Sequence, residues 1–116
     1  MKKVFQYHIY TIEFPDIGGS AQHGVRPAIC VSNNTNNIFS DTAQFVPLTS
    51  KIKRCLPTHA VLYKSRYPCL NEDSIALVEQ ITTLPTESVI KFIGKLSQSD
   101  SQELTECILK QFDISR

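Results

Sequence analysis

The sequence predicts a mainly β fold: a small barrel closed by one C-terminal helix. Three observations carry that expectation. About five short apolar stretches are separated by turn-forming residues, a single stretch of helical period comes last, and 116 residues suit one modest core. No repeat or low-complexity tail divides the chain, so one domain over residues 1–116 is expected.

The elements follow in order. Residues 4–14 alternate as a strand, with Phe5, Tyr7 and Ile9 on one side and Tyr10, Ile12 and Phe14 on the other after a change of parity. That change predicts a bulge or a strongly bent strand. Pro15, Asp16, Gly18 and Gly19 end it in a loop. Pro27 holds Arg26 extended, and the apolar run "RPAICVS" continues as a second strand. Residues 32–43 carry four asparagines and two threonines and read as a surface loop, because such side chains compete for their own backbone. "AQFVPLTS", "THAVLYK" and "SIALVEQI" read as further strands, and "SVIKFIGKL" as a short amphipathic helix or strand. Asp100 with Glu103 forms a capping box for the last helix, where Leu104, Cys107, Ile108, Gln111 and Phe112 recur at helical spacing.

Composition excludes several classes of function. With 41% apolar and 20% charged residues the chain is an ordinary globular one, and a net charge of +1 supplies no global field for a polyanion. A phosphate partner must therefore be held by a local cluster. Cysteines at 30, 55, 69 and 107 have no zinc-knuckle spacing; three sit in apolar surroundings and read as buried small hydrophobes of a reducing cytoplasm, a disulfide pair being the alternative. No stretch reaches the ~20 apolar residues of a membrane helix, and the basic start runs into a strand pattern rather than a signal peptide. A cytoplasmic protein without membrane contact is expected. His8, His23 and His59 share no metal-ligand spacing, and neither a phosphate-binding glycine loop nor a serine-hydrolase elbow is present, so no metal and no cofactor is expected. Glu79 is the best acidic candidate within a strand, with an ion pair to Lys95 or Arg26 as its structural reading.

Two segments carry chemistry. Arg26 follows a loop in which Gly18, Gly19 and Gly24 let backbone N–H groups approach an anion, and Ser20, Gln22 and His23 add hydrogen-bonding groups. Its guanidinium is always charged and offers a planar fork that matches a phosphate; the alternative is an arginine sealing a barrel end against a carboxylate. "PLTSKIKR" places Thr49 at a strand end beside Lys51, Lys53 and Arg54, a corner suited to an oligonucleotide backbone or simply a solvated turn. If Arg26 and Thr49 converge at a barrel rim, they form a metal-free phosphoryl site. RNA brings its own nucleophile, the 2′-OH.

Four ordered blocks, "GSAQHGVRPAICVSNNTNN", "PLTSKIKRCLPTHAVL", "SIALVEQITTL" and "IGKLS", resemble the MazF/PemK family of toxin endoribonucleases over residues 9–112. The resemblance implies an SH3-like, CcdB/PemK-type barrel that forms a homodimer. It implies metal-independent cleavage of single-stranded RNA at short sequences, leaving 2′,3′-cyclic phosphate and 5′-OH ends. It also implies a cognate antitoxin with a disordered tail, through which alone DNA would be bound. Arg26 and Thr49 fall on the catalytic positions; Ser20, Gln22, Leu56, His59 and Gln80 fall on the RNA groove, joined by His23, Lys51 and Lys53 as neighbouring contacts. For His59 a structural bond to the Thr49 loop is the alternative.

The chain departs from this pattern twice. Ala21 stands where the family has glutamate, and Tyr7-His8 where it has Gly-Asp. Ala21 leaves the proton acceptor unassigned, with His23 as a stand-in. A catalytically weakened or inactive RNA-binding member of the same fold is therefore the alternative function. A CcdB-like gyrase poison is a further one, against which the absence of tryptophan argues.

Overall fold

The computed structural model describes residues 2–51 and 56–115. Its strands are β1 (His8–Phe14), β2 (Gly24–Cys30), β3 (Thr42–Thr49), β4 (His59–Leu62), β5 (Ser74–Leu77), β6 (Thr82–Pro85) and β7 (Val89–Lys95). Two helices, α1 (Asn34–Phe39) and α2 (Gln98–Gln111), complete it, with 3-10 turns at Val78–Gln80 and Thr86–Ser88.

All strand pairs are antiparallel, in the order β4-β5-β3-β2-β1-β7. β3 is the hub. One of its edges pairs with β2, while the other is shared between β6 along Thr42–Phe45 and β5 along Leu48–Thr49. Among the described residues no pairing joins β4 to β7, so the expected barrel is a strongly curved, open sheet.

The parity change in β1 is not a bulge of that strand: the residues left without a partner across the β1–β7 pairing are Ile90 and Ile93, both in β7. Against β7 the register slips between Ile9 and Tyr10 and again between Thr11 and Ile12, while pairing with β2 stays regular. Ile9 joins one buried cluster and Tyr10, Ile12 and Phe14 join another. Both faces of the central strands are therefore covered, which is why the strands read as nearly continuous apolar runs. On one face, Leu104 and Cys107 of α2 close over Ile29, Val46, Leu48 and Leu62.

Other expectations change as well. The asparagine-rich stretch forms α1 instead of an open loop. Asn33 caps it, accepting from Asn36 N at 2.9 Å, and the buried Asn37 amide donates to the Ser32 carbonyl at 2.9 Å. The local bonds that suggest a loop here cap a helix instead. "SIALVEQI" is a strand only to Leu77, because Val78–Gln80 coil into a 3-10 turn. The α2 cap is Ser97, not Asp100: Ser97 Oγ accepts from Asp100 N at 3.1 Å. The Tyr67 hydroxyl completes that end, accepting from Ser97 N at 3.0 Å and donating to the Asp100 carboxylate at 2.5 Å. Phe112, expected on the apolar stripe, lies past the helix end and is exposed. Cys30 and Cys107 are buried as expected, whereas Cys69 is exposed and Cys55 lies outside the described residues. "SVIKFIGKL" resolves as strand β7.

His8 packs its ring 5.3 Å from both Phe5 and Phe92 and pairs in register with Lys95. Burial first, and the Lys95 charge second, push its pKa below 6.5. The folded state thus binds fewer protons than the unfolded state below that pH, so this group's contribution to stability is present above pH 6.5 and lost as pH falls. Urea midpoints measured at about pH 7.5 and about pH 5 should differ less for His8→Gln than for the wild-type protein.

Candidate active-site cleft

The β1–β2 loop is shaped by two glycines at positive φ, Gly18 at 89° and Gly19 at 61°. Asp16 pins the turn, its carboxylate accepting from Gly18 N at 3.0 Å. The loop returns into β2, where Arg26 pairs with Ile12 and is half-buried.

Arg26 is held by neutral groups only, among the described residues. Its Nε and Nη2 donate to the His23 carbonyl at 3.1 and 2.9 Å. Its Nη1 donates to the Gln22 side-chain oxygen and, at 3.5 Å, to the Leu48 carbonyl. Among the described residues no carboxylate forms an ion pair with it. The alternative reading, a barrel-end salt bridge, thus finds no carboxylate among the described residues. Burial lowers its proton affinity below the ordinary arginine value, yet a guanidinium stays charged at physiological pH. The edge that the sequence offers to a phosphate is turned toward a backbone carbonyl. Counting donors against described acceptors, one Nη2 hydrogen remains unspent.

Gln22 is itself anchored. Its N–H donates to the Gln80 side-chain oxygen at 2.7 Å, and Gln80 Nε2 donates to the Ser20 carbonyl at 3.3 Å. The 3-10 turn makes this possible, since it carries Gln80 toward the β1–β2 loop.

A cleft of about 380 Å³ opens beside Arg26, and Gln22, Thr49 and Lys51 line it too. Thr49 Oγ1 accepts from Lys51 N at 3.2 Å, which leaves the hydroxyl proton without a recipient among the described residues. A second hollow of about 250 Å³ lies on the other side of Gln22, with Ala21, Glu79 and Gln80 in its wall and Phe14, Pro47 and Ile81 at its apolar side. Gln22 is common to both hollows.

Other candidates fall around this pair. Leu56 is part-exposed, and its N–H donates to His59 Nδ1 at 3.1 Å. That bond sets the tautomer: the proton sits on Nε2, which faces both Glu79 carboxylate oxygens at 2.9 and 3.0 Å. Glu79 therefore pairs with His59, not with Lys95 or Arg26. The His59 side chain is only 5% exposed with both nitrogens engaged, one by the Leu56 N–H on the loop that follows Thr49 and the other by Glu79. Ser20 contributes its carbonyl to the Gln80 bond. The His23 ring lines neither hollow; its Nδ1 lies 3.6 Å from Asp16, and its carbonyl grips Arg26. Lys53 lies outside the described residues.

Asn71, Glu72 and Ser74 also line the Arg26 cleft, and sequence reasoning passed over them. Asn71 and Glu72 come from the loop before β5 and Ser74 is the first residue of that strand; "NEDS" carries no motif, and only the pairing of Thr49 with Ile75 brings it beside Thr49.

A small β protein holding an unpaired arginine and a threonine hydroxyl in one cleft is what these described elements define. The chain belongs to the PemK-like, MazF-like toxins of type II toxin–antitoxin systems, whose family model matches residues 5–112. It is 33% identical over 101 residues to the endoribonuclease MazF of Staphylococcus saprophyticus, covering 86% of this chain and 83% of that protein. The solved structure of MazF (Form I) from Deinococcus radiodurans matches with a TM-score of 0.81 at 18% identity, covering 98% of this chain and 100% of that one. An endoribonuclease in complex with its cognate antitoxin, from a mycobacterial species, matches at 0.78 and 20% identity, covering 97% and 98%. These likenesses establish the curved sheet with its terminal helix as the family's fold.

Removing the His59 ring strands the Leu56 N–H and unpairs Glu79. His59→Ala should therefore cost about 1–3 kcal/mol in chemical denaturation, while the exposed Lys51→Ala should change stability by less than about 0.5 kcal/mol.

Proposed function

We propose that this protein is the toxin of a type II toxin–antitoxin pair and a sequence-specific endoribonuclease. It cleaves single-stranded RNA without a metal, through the RNA's own 2′-OH, leaving 2′,3′-cyclic phosphate and 5′-OH ends. The observation that carries this reading is the Arg26 guanidinium, unpaired by any described carboxylate and lining the same cleft as the Thr49 hydroxyl.

The chemistry needs little more than position and charge. Cyclisation puts extra negative charge on the phosphoryl oxygens, and a preset cation with a hydroxyl donor stabilises it there. Arg26 serves as the electrostatic group; its proton affinity is far too high for a general base. Thr49 donates its free proton to a phosphate oxygen. Lys51, with Lys53 and the exposed Leu56 nearby in sequence, extends the site along the RNA backbone and bases. Gln22 and Gln80 border the second hollow, whose apolar wall and polar rim suit a flanking nucleobase, while Ser20 and His23 lie on the same loop as Gln22 and outside the wall of that hollow. Similarity to the staphylococcal endoribonuclease supports the same activity here.

Partners follow from the same reading. Similarity to the mycobacterial endoribonuclease, which was solved together with its cognate antitoxin, supports an antitoxin partner, with DNA reached only through it. A homodimer is supported by β7, which leaves one edge unpaired among the described residues and exposes Ile90 and Phe92 at 55% and 50%. The protein acts in the cytoplasm, where its RNA is. Among the described residues no helix is long and apolar enough to cross a membrane.

Incubation with a long single-stranded RNA in EDTA, followed by end mapping, tests the reading. Discrete cuts ending in cyclic phosphates are expected. Arg26→Ala should slow them by roughly 10²–10³-fold with the fold intact, and Thr49→Ala should lower turnover more than affinity. RNA binding without any cut would instead mark a weakened member of the family.

A further inference from the structure

The cleft that holds Arg26 and Thr49 still lacks a group to take the 2′-OH proton. We infer that Glu72 is that group: its carboxylate is the proton acceptor of the RNA cleavage reaction. The inference rests on the function proposed above and deepens it.

Among the described residues, Glu72 is the one acidic residue in the wall of the Arg26 cleft. Other acids near the two hollows are already spent: Glu79 on His59, Asp73 on Lys64 N at 2.8 Å, Asp16 on Gly18 N and His23. The Glu72 carboxylate makes no hydrogen bond or ion pair among the described residues. Position 21, across Gln22, is alanine and has no carboxylate to contribute.

The loop that carries Glu72 is anchored on both sides. Tyr67 and Leu70 are buried in the core, and Leu70 N donates to the Tyr67 carbonyl at 2.9 Å. Ser74 Oγ donates to the Glu72 carbonyl at 3.0 Å, and Asp73 is tied to Lys64. A group on so constrained a turn can be held against a substrate, while its side chain keeps freedom to reach a proton.

The step balances. The carboxylate takes the 2′-OH proton, the 2′-oxygen bonds to phosphorus, and the bond from phosphorus to the 5′-oxygen breaks. The departing 5′-oxygen takes a proton from water. The protonated carboxyl then returns its own proton to solvent. Arg26 and Thr49 hold the phosphoryl oxygens throughout.

The test compares full-length wild type, Glu72→Gln and Arg26→Ala in single-turnover cleavage of one RNA carrying a mapped cut. Binding is measured separately on the same RNA with 2′-deoxyribose at that cut. Glu72→Gln keeps the side chain's shape and should slow cleavage by about 10²-fold or more while leaving affinity within about threefold. Cleavage by Glu72→Gln within about threefold of wild type overturns the assignment, as does a loss that appears wholly in affinity. Failure of the wild type to cut any RNA overturns the proposed function and this assignment with it. Cutting by wild type and by Glu72→Gln alike, but not by Arg26→Ala, overturns Glu72 alone.

Discussion

Everything in this cleft depends on how one cation is held. Arg26 has no described carboxylate to neutralise it, and its positive charge is kept in place by dipoles: the Gln22 amide and the carbonyls of His23 and Leu48. Neutral acceptors fix the position of a guanidinium without cancelling its field. That is the arrangement a site needs if it is to favour an anion arriving from outside. A buried ion pair would hold the side chain as firmly and leave much less for a phosphate.

The hold propagates outward. Gln22 can grip Arg26 because Gln80 grips Gln22, and Gln80 reaches that point because residues 78–80 coil instead of continuing β5. The same turn points Glu79 at His59, whose ring is fixed in turn by the Leu56 N–H. β3 ties these parts together. By sharing one edge between β5 and β6, it sets Thr49 at a fork, next to β2 on one side and to the Glu72 loop on the other.

Much of this is legible in the sequence, for identifiable reasons. The strand β1 shows because alternation is a two-residue signal, but its apolar residues of both parities mark burial on two faces and not the bulge they suggest, which lies in β7. Arg26 and Thr49 stand out because a charge and a hydroxyl sit at the ends of apolar runs. Helix α1 does not show, because asparagines that cap a helix and asparagines that hold a loop make the same short-range bonds. The turn at Val78–Gln80 is hidden for a different reason: apolar Val78 and Ile81 bracket its two polar residues and extend the preceding strand's apolar run, and only tertiary contacts bend the backbone there. Ser97 is masked as the helix cap by the Asp100–Glu103 pair, since the Tyr67 hydroxyl that favours Ser97 lies 30 residues away. Glu72 is the hardest case. Its place in the cleft comes from pairing of Thr49 with Ile75, a relation across 26 residues that no local pattern encodes.

The proposed target of Arg26 is the phosphate of the bond to be cut. The most direct measurement is a crystal structure of the protein with RNA bearing a single 2′-deoxyribose at its mapped cut. That phosphate should lie within hydrogen-bond distance of both the Arg26 guanidinium and the Thr49 hydroxyl. A phosphate seated elsewhere, with Arg26 still turned only to Gln22 and the His23 carbonyl, would contradict it.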